Sequence, residues 1–309
     1  MEKTPNTIKE VTSTGFGSNI NNESERLISK NGNITVKKEG LKFSQRSNLF
    51  HVFINMSAPF FFLCLLAIFI TINLFFTGIY LFIGLEGLEG TTGNNDFYEA
   101  FFFSSQTLTT VGYGGLHPTG KAMSLIAGFE AFIGLLSFAV STGLLYGRFS
   151  KPKSKMLMSK NAIISPYKNI TGLMVRVANS KSNPLINANS KMLFSQIESI
   201  NGNSTRKFYT LNLEMGSISL FATSWTIVHP ITEESPLYKM SNTDLKEKSV
   251  EIILLLSAHD ESYNNEVHAR TSYKSNEIIS NAKFVSILSH DVNKHTTIHL
   301  DRLDDYQTI

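Results

Sequence analysis

The chain has 309 residues, is 42% hydrophobic and carries a formal net charge of +3, with a mean hydropathy near zero that averages a strongly apolar half and a polar half. That length allows two domains, and so small a charge gives no bulk attraction to nucleic acid. The one cysteine, Cys64, rules out an intrachain disulfide and has no partner thiols for a metal site; it reads as apolar filler in the first hydrophobic run.

Residues 1–40 are rich in Asn, Ser, Thr, Lys and Glu. Such a segment is expected to remain a disordered tail, because it offers little apolar surface to offset ordering. It is too polar for a cleavable leader, and the first apolar run begins far downstream. Residues 41–55 mix Leu41, Leu49, Phe50, Val52 and Phe53 with Lys42, Arg46 and His51. This pattern predicts a short amphipathic slide helix lying on a membrane surface.

Met56 to Leu85 contains no charged residue, and Pro59 stands near its start. The stretch predicts an outer helix over 56–85, long enough to cross the hydrocarbon core with some tilt. A Gly-, Thr- and Asn-rich loop follows. Asp96 then reads as an N-cap with Glu99 as its capping-box partner, opening a helix over 96–108. That helix is too short to span. It suits a re-entrant element, which is tolerated at membrane depth only where protein surrounds it.

Thr109-Thr110-Val111-Gly112-Tyr113-Gly114 comes next, between two apolar runs. Gly112 and Gly114 can adopt backbone conformations closed to residues with a Cβ. Successive carbonyls of Thr110, Val111, Gly112 and Tyr113 can then turn toward one axis and replace the water shell of a dehydrated ion, with the Thr110 hydroxyl adding an inner ring. Residues 110–114 are similar to the filter pentapeptide of potassium channels, and it is this resemblance, not the geometry, that identifies the ion as K+. One copy supplies one wall, so four chains are expected to meet as a homotetramer.

The inner helix is expected over 119–149. Between Lys121 and Arg148 only Glu130 is charged. An intramembrane carboxylate is a functional candidate; here the expected role is packing behind the filter and accepting hydrogen bonds. Phe138, Thr142 and Tyr146 are spaced by four and share one helical face. Gly134 and Gly143 suit either bending or close packing. Lys37, Lys38, Lys42 and Arg46 precede the first span, and Arg148, Lys151, Lys153, Lys155 and Lys160 follow the second, whereas the segment between is mostly acidic. The positive-inside rule then places both termini in the cytoplasm of a multi-pass plasma (inner) membrane protein.

Beyond residue 160 the texture changes to short β-branched or alternating runs at 170–177, 192–197, 208–213, 217–222, 225–228, 252–257, 267–272 and 284–288. Together they predict an antiparallel sandwich over 151–309. Asn183-Pro184 and Asn201-Gly202 mark turns. His259, His268, His290, His295 and His299 are scattered and read as surface or structural residues. The run contains no nucleotide fingerprint and no catalytic order of Ser, His and Asp, so no cofactor and no enzyme activity are expected.

Several motifs in one order resemble the inward-rectifier potassium channels, in particular their prokaryotic KirBac branch. They are Ala100-Phe101-Phe102-Phe103-Ser104, the filter, Ser141-Thr142-Gly143-Leu144 through Arg148-Phe149, Arg176-Val177-Ala178-Asn179, Ser235-Pro236-Leu237 and Ala269-Arg270-Thr271-Ser272-Tyr273. The resemblance implies a two-helix pore, a slide helix, an immunoglobulin-like cytoplasmic domain and a tetramer gated by that domain and by anionic lipid. It makes Tyr146 the bulky gate residue at the bundle crossing, with Phe138 and Thr142 lining the pore above it. It makes Arg148, Lys151 and Lys153 headgroup-binding positions, with Ser154 replacing a further basic one. It also shows losses. Phe138 stands at the acidic rectification position, Gln106 at the pore-helix carboxylate, Gly115 after the filter and Asn187 at an acidic position of the cytoplasmic pore. Strong polyamine block is therefore not expected, since a multivalent cation needs fixed negative charge to hold it. Two other readings are a subunit of a potassium-uptake system, which would carry several filter segments per chain, and a ligand-sensing receptor with a vestigial pore, against which the intact Thr110 and both glycines argue. No Arg-repeat span for voltage sensing is present.

Overall fold

The computed structural model describes residues 26–35, 39–40, 49–150, 156–200, 203–290 and 296–309. The chain divides into two compact units, Glu39–Lys151 and a β-rich unit made of Met1–Lys38 with Pro152–Ile309.

The first unit is helical. Helix α1 (Leu49–Asn55) buries none of its residues; the remainder of the expected slide helix, 41–48, lies outside the described residues. Helix α2 (Ala58–Ile83) starts with Pro59 in its first turn, where a missing N–H costs nothing, and ends at Gly84 with φ 91°. It is two residues shorter at each end than the sequence suggested. Helix α3 (Asp96–Leu108) is followed by irregular backbone over 109–116, and helix α4 (Lys121–Phe149) completes the unit. At 1.5 Å per residue, α2 and α4 extend about 39 and 44 Å. Among the described residues these are the two helices long and apolar enough to cross a membrane. The loops that flank α3 are joined by a two-residue antiparallel ladder, β1 (Leu88–Glu89) with β2 (His117–Pro118). Phe76, Tyr80, Leu88, Ala100, Phe103, Met123 and Ala127 form the core where α2, α3 and α4 meet.

The cap of α3 corrects the sequence reading by one residue. Asn95, not Asp96, is the N-cap, and its side chain accepts from the Tyr98 N–H at 3.2 Å. Glu99 makes no capping box. Its Oε1 accepts from the Thr92 N–H at 2.7 Å and from the Thr92 hydroxyl at 2.5 Å, tying the preceding loop to the first helical turn. Asn, Asp and Ser cap about equally well, so the run Asn94-Asn95-Asp96 could not by itself show which residue adopts extended backbone.

The second unit is a sandwich. One sheet has the order β11 (Asn265–Lys274), β10 (Glu251–Asp260), β6 (Leu185–Ile200), β7 (Asn203–Leu211), with β8 (Ser217–Phe221) also on β6. The other has the order β12 (Ile278–Ser280), β4 (Ala162–Tyr167), β5 (Ile170–Asn179), β3 (Met156–Met158), with β9 (Ser224–Ile231) also on β5. Every pairing in the two sheets is antiparallel except β12 on β4. Alternate residues Val175, Val177, Ile252, Leu254 and Leu256 fill the space between the sheets with Phe194, Ile227 and Met192. Strands β3 and β4 were not anticipated. The expected strand at 284–288 is instead split between β13 (Ala282–Phe284) and β14 (Leu288–His290), which pair with β16 (Tyr306–Thr308) and β15 (Thr296–Ile298). Buried Arg176 reaches these closing segments, donating to the Val285 carbonyl at 2.6 Å with its guanidinium over the Phe284 ring.

Residues 26–35 contradict the expectation of a disordered tail through residue 40. Leu27 and Ile28 are buried against Phe208 and Ile253, covering the outer face of the first sheet. The Leu27 and Ile28 N–H groups donate to the buried Glu251 carboxylate at 3.1 and 3.4 Å, and the Ser272 hydroxyl donates to the Ile28 carbonyl at 2.6 Å. Arg26 pairs with Glu277. Two adjacent apolar residues inside a polar stretch anchor the segment. The continuous run Ile252-Ile253-Leu254-Leu255-Leu256 is the complementary signal, because a strand apolar on both faces needs cover on both.

Candidate ion pathway

The pathway is built on the C-terminal end of α3. Thr109 ends the helix, with its N–H and hydroxyl both bonded to the Ser105 carbonyl. The next residues hang from Gln106. Its main-chain carbonyl accepts from Val111 N–H at 2.9 Å and Gly112 N–H at 3.3 Å, and its side-chain Oε1 accepts from Tyr113 N–H at 3.1 Å. Its Nε2 donates to the Leu116 carbonyl at 3.2 Å. Gln106 is buried and grips the strand on both sides of the turn. In the sequence Gln106 stands out only by the missing carboxylate. A neutral amide does what one acceptor and one donor are needed for at this position.

Gly112 and Gly114 have φ of 52° and 84°, in the left-handed region. Thr110 joins them at 60°, which the sequence did not reveal because left-handed backbone is uncommon for a residue with a Cβ. Alternate residues 110, 112 and 114 are thus left-handed. Val111 and Tyr113 are exposed within the chain, Tyr113 at 85%.

Between α2, α3 and α4 lies a polar cluster with Glu130 at its centre, fully buried. The Tyr80 hydroxyl of α2 donates to one Glu130 oxygen and the Ser104 hydroxyl of α3 to the other, each at 2.5 Å. Ser104 also lies 3.1 Å from Asn73 Oδ1, and the Thr77 hydroxyl donates to the Asn73 carbonyl at 2.7 Å. Glu130 thus accepts hydroxyl hydrogen bonds and packs behind α3. The sequence does not reveal its partner Tyr80 or the neighbouring Asn73 and Thr77 that extend the cluster. Their signal was a polar row at i, i+4 and i+7 along one face of an otherwise apolar helix. One turn below Glu130, a Cβ on Gly134 would lie 2.0 Å from the Leu108 carbonyl oxygen, whereas a Cβ on Gly143 would meet nothing within 4 Å. Of the two readings left open for these glycines, close packing holds for Gly134.

Phe138, Thr142 and Tyr146 form one exposed stripe on α4, with Phe138 at 75% and Tyr146 at 74% exposure. Arg148 ends the helix by donating to the Met56 carbonyl at 2.6 Å, with its guanidinium over the Phe61 ring. It clasps the junction of α1 and α2. Lys151 and Lys153 lie outside the described residues.

The model of the inward rectifier potassium channel C-terminal domain matches residues 156–309, and an ion channel model matches residues 52–151. The inward rectifier potassium channel Kirbac3.1 of Paramagnetospirillum magnetotacticum is 32% identical over 266 residues, 85% of this chain and 90% of that one. The chain belongs to the inward rectifier potassium channels. The G protein-activated inward rectifier potassium channel 4 of mouse and of rat are each 27% identical over 238 residues, covering 72% of this inward rectifier and 54% of the mammalian chains. Among solved structures, Spo0M of Bacillus subtilis aligns with a TM-score of 0.20 and 13% identity over 40% of this chain and 48% of its own. Family membership makes this inward rectifier a membrane protein with a two-helix pore and a β-sandwich. Its residues 110–114 read Thr-Val-Gly-Tyr-Gly.

Proposed function

We propose that four copies of this chain meet around one axis and conduct K+ passively, with residues 110–114 as the filter and K+ held between carbonyl rings of Thr110, Val111, Gly112 and Tyr113. The observation that carries the reading is the tethering of Val111, Gly112 and Tyr113 N–H groups to Gln106. With the amide hydrogens turned back toward α3 and alternate residues left-handed, the carbonyl oxygens are left facing away from the helix. A single chain gives them no opposite wall, and a fourfold ring does. The stripe of Phe138, Thr142 and Tyr146 lines the path below, and four Tyr146 rings narrow it to a dewetting gate. Both termini and the sandwich lie on the cytoplasmic side, where Lys and Arg flank the two spans. The test is K+ efflux from liposomes holding the purified protein, with its native mass measured alongside. Efflux blocked by Ba2+ from a particle of four 34.5 kDa chains is expected; efflux from a monomer contradicts the assembly.

Anionic lipid enters the same proposal through Arg148, Lys151 and Lys153, each basic group near a charged leaflet contributing about 1 kcal/mol of attraction. Because Arg148 clasps the α1–α2 junction, a headgroup drawing on it acts where the spans meet the surface. A bound lipid shifts the gate only through unequal affinity for the open and closed states. Titrating anionic lipid into neutral liposomes is expected to change flux in the parent and less in Arg148→Gln with Lys151→Gln. Identical curves reduce these residues to topology signals.

A further inference from the structure

The inner helix meets the pore helix at two points in matched register. Glu130 receives the Ser104 hydroxyl, and one turn on Gly134 lies against the Leu108 carbonyl. Residues 104 and 108 on α3, like 130 and 134 on α4, are four apart, so each pair lies on one face. Two contacts a turn apart oppose both sliding and rotation of α3 on α4. Two residues beyond Ser104, Gln106 holds the filter through three backbone N–H groups. The other Glu130 oxygen takes the Tyr80 hydroxyl, which ties the same carboxylate to α2. Ser104, Asn73, Tyr80 and Glu130 are all fully buried, where an unmatched polar atom is costly.

We propose that Glu130 is a positioning residue for selectivity. Acting through Ser104, it fixes the height and rotation of the pore helix and so the spacing of the filter carbonyls. The Tyr80 bond secures the outer helix and does not set selectivity. The proposal rests on the channel reading above and adds a residue some distance from the ion to the determinants of ion choice.

The two arms of the carboxylate make separable predictions. Glu130→Leu keeps an apolar side chain of similar size but accepts neither hydroxyl. Ser104→Ala removes the arm to the pore helix, together with the Ser104 contact to Asn73 Oδ1, and leaves the Tyr80 arm intact. Tyr80→Phe removes only the arm to the outer helix. Glu130→Gln is the conservative variant: its Oε1 accepts one hydroxyl and its Nε2 donates to the other, whose hydrogen can turn to Asn73 Oδ1, 3.1 Å from Ser104. The experiment measures the K+/Na+ permeability ratio of purified tetramers in liposomes, with thermal stability recorded for each. Glu130→Leu and Ser104→Ala are expected to lower the ratio at least tenfold among assembled channels. Glu130→Gln is expected to stay within about threefold of the parent, and Tyr80→Phe to lose stability with its ratio unchanged. If Glu130→Leu fails to assemble, Ser104→Ala alone decides. An unchanged ratio in assembled Ser104→Ala overturns the proposal, and so does a fall in Tyr80→Phe as large as that in Ser104→Ala. The parent's own ratio separates the cases: no discrimination in the parent defeats the channel reading itself, whereas discrimination in the parent that survives in Ser104→Ala defeats only the role of Glu130.

Discussion

Adding one methyl group at Gly134 is predicted to destabilise the channel, and the same change at Gly143 is not. A Cβ at residue 134 falls 2.0 Å from the Leu108 oxygen and 2.9 Å from its carbon. The obstacle is backbone at the end of a helix, so no side chain can rotate away. The inner and pore helices must part by about 1 Å in a close-packed interior. Overpacking of this kind costs about 1–3 kcal/mol, and a backbone obstacle belongs at the upper end. Replacing Gly by Ala in a helix returns about 1 kcal/mol of propensity. The net loss is roughly 2 kcal/mol per chain, and assembly of identical chains repeats it. At Gly143 nothing in the chain apart from its immediate neighbours and its own helical backbone lies within 4 Å of the new methyl, so only the propensity gain of about 0.5–1 kcal/mol remains. The assay is thermal loss of the oligomer in one detergent for parent, Gly134→Ala and Gly143→Ala. The expected order is Gly134→Ala below the parent and Gly143→Ala level with it or above. A Gly134→Ala protein as stable as the parent means that the two helices are free to part at this contact.

Tyr146→Ala, which removes the bulk from the exposed stripe at the end of α4, is expected to raise open probability in single-channel recordings; an unchanged value argues against a gate there. Ile28→Asp in the full-length chain is expected to lower the melting temperature of the sandwich, because it gives up about 1.5–3 kcal/mol of burial and places a charge against Phe208 and Ile253; an unaltered melting temperature means the segment contributes nothing. His229 is buried, with Nδ1 donating to the Asn212 carbonyl and Nε2 accepting from the Ser235 hydroxyl, both at 2.7 Å. Burial lowers its pKa below the usual 6.5, outweighing the Asn212 bond, which raises it. Its stabilising contribution is therefore complete above pH 6.5 and is lost as pH falls from there toward the lowered value. His229→Gln is expected to flatten the pH dependence of stability in that window, and an identical pH profile for the two proteins excludes the role.

Much of this organisation is legible in the residues, and what is not follows from physical causes. The spans are readable because a bilayer demands an uninterrupted apolar length, and α3 because its length is too short for one. Phe138, Thr142 and Tyr146 share a face by spacing alone. The sandwich strands show in the alternation of Leu173, Val175 and Val177. Asn73, Tyr80 and Ser104 were hidden because a hydroxyl or amide in an apolar helix does not reveal its partner until three helices are assembled. Gln106 was hidden by its chemistry: the sequence showed a missing charge, whereas the geometry uses a neutral donor and acceptor. Thr110 looked like an ordinary residue until its left-handed backbone was seen. The segment at 26–35 is masked by the average polarity of the tail, because its apolar anchor is just Leu27 and Ile28 and its remaining contacts, such as Arg26 with Glu277, are polar.

Residues 110–114 are proposed to form a potassium filter in an assembled ring. The most direct test is the reversal potential of purified protein in a planar bilayer with K+ on one side and Na+ on the other. A large bi-ionic potential, negative on the K+ side as preferential K+ exit requires, is expected, with the current abolished by Ba2+. A reversal potential near zero with a sustained current contradicts the filter.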